Sequence, residues 1–281
     1  MKNILIPTDF SNNSYNAMFY ALNIFKDETC KFYILHSFEV KTNLFTSRLD
    51  TEKGKIQYEE QLAKVENQLI EVILNITSSS FRNEKHSYET LAITKPIEET
   101  IPKTIKNKNI DLVVMGTKGA TGAKEILFGS NAIKIAKLLH NTPLLLIPKE
   151  THNATLDNIV FATAFKNGYT NESLTTLKSF CNLSNATLKI VSILDTKELS
   201  ENQEKNKEVL EENITEIPYD YSVVYKNKSV DKHIKEYVKN LDFDILSMIK
   251  YSHDDFYKFT HEATIDKLGY HIEKPFLIIP A

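Results

Sequence analysis

Apolar residues in this 281-residue chain gather in short runs separated by longer stretches of mixed polarity. In the first half these runs are Asn3–Pro7, Lys31–Ser37, Lys85–Glu89, Ile110–Met115 and Pro143–Ile147, rich in Ile, Val, Leu and Tyr. Short, nearly continuous apolar runs predict strands covered on both faces. Between them, Ser11–Phe25, roughly Ser47–Ser78, Ile97–Lys106 and Ser130–Leu139 carry helical patterning. Ser11 or Asp9 can cap the first helix, and Pro96 suits the start of the third. Strand–helix alternation of this kind predicts an α/β fold built on a doubly wound parallel sheet.

The pattern repeats. Lys2–Phe10 reads KNILIPTDF and Asp157–Phe165 reads DNIVFATAF, with Asn, Ile, Thr and Phe in register. DLVVMG from Asp111 is matched by DILSMI from Asp244, and TPLLLIP (Thr142–Pro148) by KPFLIIP (Lys274–Pro280). The spacing between matched segments shrinks along the chain, so the second copy is shorter in its middle. Its strands are expected at Ile159–Thr163, Thr187–Ile193, Asp220–Tyr225, Asp244–Met248 and Phe276–Ile279, with helices at Glu201–Glu212 and Val230–Lys239. Two tandem domains, 1–150 and 151–281, joined near Lys149–Leu156, account for the length.

Composition narrows the function classes. Apolar residues make up 42% and charged residues 25%, which predicts packed globular domains. The 34 Lys+Arg against 37 Asp+Glu leave a net charge of −3, so a general nucleic-acid binder is not expected. No apolar run approaches the roughly 20 residues that span a bilayer, and the N-terminus lacks a signal-peptide pattern, so a cytoplasmic protein with no membrane partner is expected. Cys30 and Cys181 predict two free, partly buried thiols.

Glycine is scarce, with only 7 in the chain, yet Gly116, Gly119, Gly122 and Gly129 cluster in GTKGATGAKEILFGSN after the fourth strand. Ligands of open parallel sheets bind beyond the carboxyl ends of the strands. A glycine-rich loop there can bring backbone N–H groups to an anion, and the helix opening at Ser130 offers its positive dipole end. Ser130 and Asn131 can add side-chain donors, and Lys118 and Lys124 positive charge. The chemistry is polyphosphate recognition, although the spacing is neither a Walker A loop nor a dinucleotide fingerprint.

The spacing Gly116-x2-Gly119-x9-Gly129-Ser130, with VVMGTKG before it and NILIPTDFS at the N-terminus, resembles the ATP-binding signature of universal stress proteins. The resemblance covers both halves and is strongest over residues 1–150. It implies five-stranded sheets of order 3-2-1-4-5, and ATP with Mg²⁺ lying across the first and fourth strands. It also implies domains paired through their fifth strands, here as an intramolecular pseudo-dimer, with a further homodimer left open. By the same resemblance Asp9 lies near the ribose and the metal-bound phosphates, and is the one metal ligand implied. Pro7, Thr8 and Ser37 flank the base, while Gly116, Gly119, Gly129, Ser130 and Asn131 hold ribose and phosphates. Asp9 also has a reading as a helix cap alone, His36 as a packed strand-end histidine, and Asp111 as a structural hydrogen-bonder.

The second copy departs from the signature. Ala164 stands for Asp9, Ile249 for Gly116, Ser252 for Gly119, His261 for Gly129 and Glu262 for Ser130. A carboxylate where phosphate should sit predicts that this copy binds no nucleotide. His253, Asp254, Asp255, His261 and Glu262 fit no tight metal-ligand spacing. The function expected is ATP-dependent regulation in stress response. The alternatives are a slow ATPase or phosphotransferase, for which no residue that would orient water stands out, and an interaction module without nucleotide. A Gly116→Ile chain is expected to fold and to lose binding.

Overall fold

The computed structural model describes residues 1–39, 48–117, 129–149, 151, 154–194, 196–225, 242–251 and 274–281. The first half runs β1 (Lys2–Pro7), α1 (Asn12–Ile24), β2 (Cys30–Ser37), α2 (Arg48–Thr77), β3 (His86–Ile93), α3 (Ile97–Lys108), β4 (Leu112–Gly116), α4 (Ser130–Leu138) and β5 (Leu144–Ile147). The second runs β6 (Asn158–Thr163), α5 (Asn171–Asn182), β7 (Thr187–Leu194), α6 (Glu201–Asn213), β8 (Tyr219–Tyr225), β9 (Ile245–Lys250) and β10 (Phe276–Pro280). β3 extends four residues beyond the apolar run that predicts it, because its tail pairs with the full length of β2 out to Ser37. The helix expected at Val230–Lys239 lies outside the described residues, and α5 is not among the helices expected from the sequence.

The strands form one sheet in the order β3-β2-β1-β4-β5-β10-β9-β6-β7-β8. Each half therefore repeats the order 3-2-1-4-5, and every pairing is parallel except β5 with β10. The fold is α/β, two tandem units each with a doubly wound sheet. Alternate side chains along a strand enter opposite cores. Ile4 and Ile6 of β1 join one core with α1, α2, α5 and α6, while Leu5 joins the other with α3 and α4. Both cores contain residues of both halves, such as Phe25 set edge-on against Phe180 at 6.1 Å.

The repeat is also visible in its fastenings. Asp111 accepts a hydrogen bond from the Asn3 amide (2.7 Å) and returns its own amide to the Asn3 carbonyl (2.8 Å). Asp244 does the same with Asn158, at 3.0 and 2.8 Å. These aspartates tie the start of one strand to its neighbour, the structural role read for Asp111. The thiols of Cys30 and Cys181 are buried, and burial pushes them up to about 11 and about 12. The extra length of the first half lies in α2, 30 residues against 13 in its counterpart α6, and Val65, Leu69, Val72 and Ile76 of α2 are buried against β2 and β3.

Candidate functional site

At the carboxyl ends of β1, β2 and β4 the chain opens into a cleft of about 520 Å³, within the range of small-molecule sites. It lies where strand order reverses, because β1 is followed in sequence by β2 on one side and flanked by β4 on the other. Pro7, Thr8, Asp9, Ser37, Gly116, Gly129, Ser130 and Asn131 all line it. Gly119, Lys118 and Lys124 lie outside the described residues, as do Ser252 to Glu262 of the second half.

Thr8 is the keystone of the crest. Its amide donates to the Leu35 carbonyl (2.8 Å), and its carbonyl accepts from His36 Nδ1–H (2.7 Å). Its hydroxyl oxygen accepts the Phe10 amide (3.0 Å) and meets Ser14 Oγ at 2.9 Å. The Ser14 hydroxyl donates to the Ser11 carbonyl (2.8 Å), so the proton between Thr8 and Ser14 belongs to Thr8. These bonds hold Phe10 at a φ of 60°, a left-handed conformation that costs a residue with a Cβ roughly 1–2 kcal/mol. The turn presents the Phe10 ring to His36, stacked at 4.5 Å, with Phe38 stacked on His36 at 6.1 Å. His36 is thus the packed strand-end histidine of the sequence reading, and it lines the cleft as well.

Asp9 is exposed at the end of β1, and it does not cap α1. Ser11 does, accepting the Ser14 amide at 3.3 Å. Asp9 Oδ1 accepts from the Ser11 amide (3.1 Å) and hydroxyl (2.5 Å), an arrangement that fixes the carboxylate above the crest. The reading of Asp9 as the cap is corrected: the N-cap position is Ser11, and its side chain accepts the first-turn amide of Ser14. Ser37 donates its hydroxyl to the Lys95 carbonyl, tying β2 to the entry of α3.

Two helices point their N-termini into the cleft without a side-chain cap, α3 behind Pro96 and α4 behind Gly129. α3 carries Glu98 and Glu99 in its first turn, whereas α4 has no acidic residue there. The α4 terminus therefore keeps the uncompensated positive end of its dipole, with Ser130 and Asn131 beside it. Lys134, one turn further along α4, pairs with Glu98 at 3.2 Å. A hydrogen bond from its own backbone amide, and then that lysine, hold the Glu98 carboxyl below its usual range. Sequence reading missed Phe38, Lys95, Glu98 and Lys134, all of which line the cleft. Their signal was positional, each lying within one helical turn or one residue of an element end at the crest.

Gly116 has a role the loop argument did not assign. A Cβ there would lie 2.5 Å from Asn13 Nδ2 and 3.0 Å from the Asn13 carbonyl. The bare backbone lets the first turn of α1 close onto β4. Gly116→Ile is therefore expected to cost stability as well as binding, since the side chain would crowd the Asn13 side chain and press on its carbonyl.

The chain has relatives among known proteins. The chain is 30% identical over 153 residues to universal stress protein MJ0531 of Methanocaldococcus jannaschii, covering 53% of this chain and 82% of that one. It is 27% identical over 159 residues to universal stress protein MJ0577 of the same organism, covering 53% and 96%. The crystal structure of a universal stress protein from Archaeoglobus fulgidus superposes with a TM-score of 0.64 at 16% identity, covering 99% of this chain and 98% of that one. That likeness establishes the two-unit fold. The family model of the universal stress proteins matches residues 1–148, the half that carries the cleft, and the chain belongs to the universal stress protein family.

Proposed function

We propose that the cleft of the first half binds ATP with Mg²⁺, and that the bound nucleotide regulates the protein's interactions under stress. The observation that carries this reading is the α4 N-terminus, lacking a side-chain cap and an acidic first turn, opening beside Asp9 and the glycine segment. Phosphates would take the α4 amides, the Ser130 hydroxyl and the Asn131 amide group. Pro7, Thr8 and Ser37 would flank the base, with Thr8 offering contact surface because its polar atoms are engaged within the fold. Among the described residues no group of three metal-ligating side chains occurs. The donor set fits Mg²⁺ all the same, since this ion takes one or two carboxylates and completes its shell with phosphate oxygens and water. Asp9 would be that carboxylate.

Regulation rather than turnover fits the lining. Hydrolysis needs a group that orients the attacking water; among the described carboxylates at the cleft Asp9 holds Ser11 and Glu98 holds Lys134, while Glu39 stands exposed two residues beyond β2. The second half is the structural partner in a pseudo-dimer joined by β5 and β10, without a nucleotide of its own. The protein would work in the cytoplasm, with neither nucleic acid nor membrane as partner.

Titration calorimetry of the whole chain with ATP and Mg²⁺ tests the reading. About one site per chain is expected, and no binding or two equal sites would overturn it. Single-turnover assays should find bound ATP persisting for hours.

A further inference from the structure

α4 ends without the glycine that commonly closes a helix. Leu139 follows in an extended conformation, φ −78° and ψ 122°, so the last carbonyls need partners from elsewhere. They receive them from the other half of the molecule. Lys250, the last residue of β9, sends its ammonium to the carbonyls of Ala136 (2.9 Å), Lys137 (2.9 Å) and Leu139 (2.8 Å). The three donors of one lysine meet three orphan acceptors at the negative end of the α4 dipole. The residue is 8% exposed, and its burial pushes the ammonium down to about 8. In the first half the equivalent position is Thr117, which has no ammonium to offer.

We propose that Lys250 is a positioning residue through which the second half sets the phosphate-binding end of α4. This rests on the reading of the cleft as a nucleotide site. α4 has only 9 residues, roughly 13 Å from end to end, so a displaced C-terminus moves the Ser130–Ala132 amides with it. Ala132, Ile135 and Ala136 pack α4 on the sheet, but apolar packing does not pair its last carbonyls, and its side-chain tether, Lys134 to Glu98, joins side chains that are 53% and 42% exposed, a kind of pair that contributes little. The half without the glycine signature thus supplies the anchor for the half that has it.

Lys250→Met, Lys250→Arg and Lys250→Gln in the full chain test this, with ATP affinity in Mg²⁺ and amide exchange of Ala132–Lys134 in ligand-free protein as readouts. Lys250→Met is expected to weaken ATP about tenfold, an ordinary coupling between sites, and to speed exchange at those amides. Lys250→Arg, which keeps a cation for the carbonyls, should recover most of both. Unchanged affinity and exchange in Lys250→Met overturn the proposal, as does an arginine variant no better than methionine. Should Lys250→Met fail to fold, Lys250→Gln, able to supply two of the three hydrogen bonds, should fall between wild type and the expected loss; wild-type values in it would equally overturn the proposal. A wild-type chain that binds no ATP defeats the proposed function alone, because the exchange readout still decides whether Lys250 sets the helix.

Discussion

The crests of the two halves are built on one plan and diverge at a few positions. Thr163 repeats Thr8: its hydroxyl oxygen accepts the Phe165 amide at 3.1 Å and holds that phenylalanine at a φ of 57°. Tyr169 hydroxyl stands 2.9 Å from Thr163 Oγ1, where Ser14 stands in the first half. The cap differs in place, since α5 begins at Asn171 under Thr170, about one turn later than the repeat spacing predicts. Gly168 then occupies the position of Asn13, and Ile249 packs where Gly116 must stay bare. The end of β6 is closed over by α6: Gln203 donates to the Ala164 carbonyl (2.9 Å) and Asn206 to that of Phe165 (2.8 Å). A side chain at the end of the fourth strand and an early first turn of the helix after the first strand compete for one volume. The second half has taken the side chain and delayed the helix.

The strongest way to break this comparison is Gly116→Ile. It should destabilise the chain by about 3 kcal/mol, read by denaturant unfolding, and abolish ATP binding. Adding Asn13→Gly, which imitates Gly168, should recover part of the stability and none of the binding; a strictly additive double variant would show that the two positions do not share space. Asp9→Ala, which imitates Ala164, should weaken ATP about tenfold in Mg²⁺, with a smaller loss when the metal is chelated. Its melting temperature should hold, because Ser11 keeps the cap. Ser11→Ala and Thr170→Ala should each cost about 1 kcal/mol by thermal unfolding, the two caps being equivalent in geometry.

The smallest expected effect concerns acid. His86 is buried, donates Nε2–H to the Phe25 carbonyl at 3.0 Å, and is held below its usual range by burial. The unfolded chain then binds the proton first, so stability is present above about pH 6.5 and falls as the pH drops below it. The strand registers put Ile217 at this place in the second half. His86→Ile should flatten the acid limb of the stability curve, and an unchanged slope would exonerate His86.

Much of the fold was legible because burial on both faces leaves a plain mark. The runs at Asn3–Pro7 and Ile159–Thr163 announced β1 and β6 to within a residue. α5 did leave a trace that the reading passed over, since Leu174, Leu177, Phe180 and Cys181 recur at helical spacing and are buried. Of the cleft, the glycine spacing and the helix start at Ser130 could be read from spacing alone. Glu98 and Lys134 could not, because their meeting depends on how α3 and α4 lie side by side.

Periodicity and internal repetition determined that two α/β units follow one another and that only the first carries clustered glycines after its fourth strand. Those properties are local, written in apolar spacing and in the presence or absence of a Cβ. Only the tertiary structure decided that Gly116 is bare for Asn13, and that Lys250 closes a helix more than a hundred residues earlier in the chain. Both depend on volumes and orphaned carbonyls that exist only once distant segments pack, and no pattern along the chain encodes them by itself.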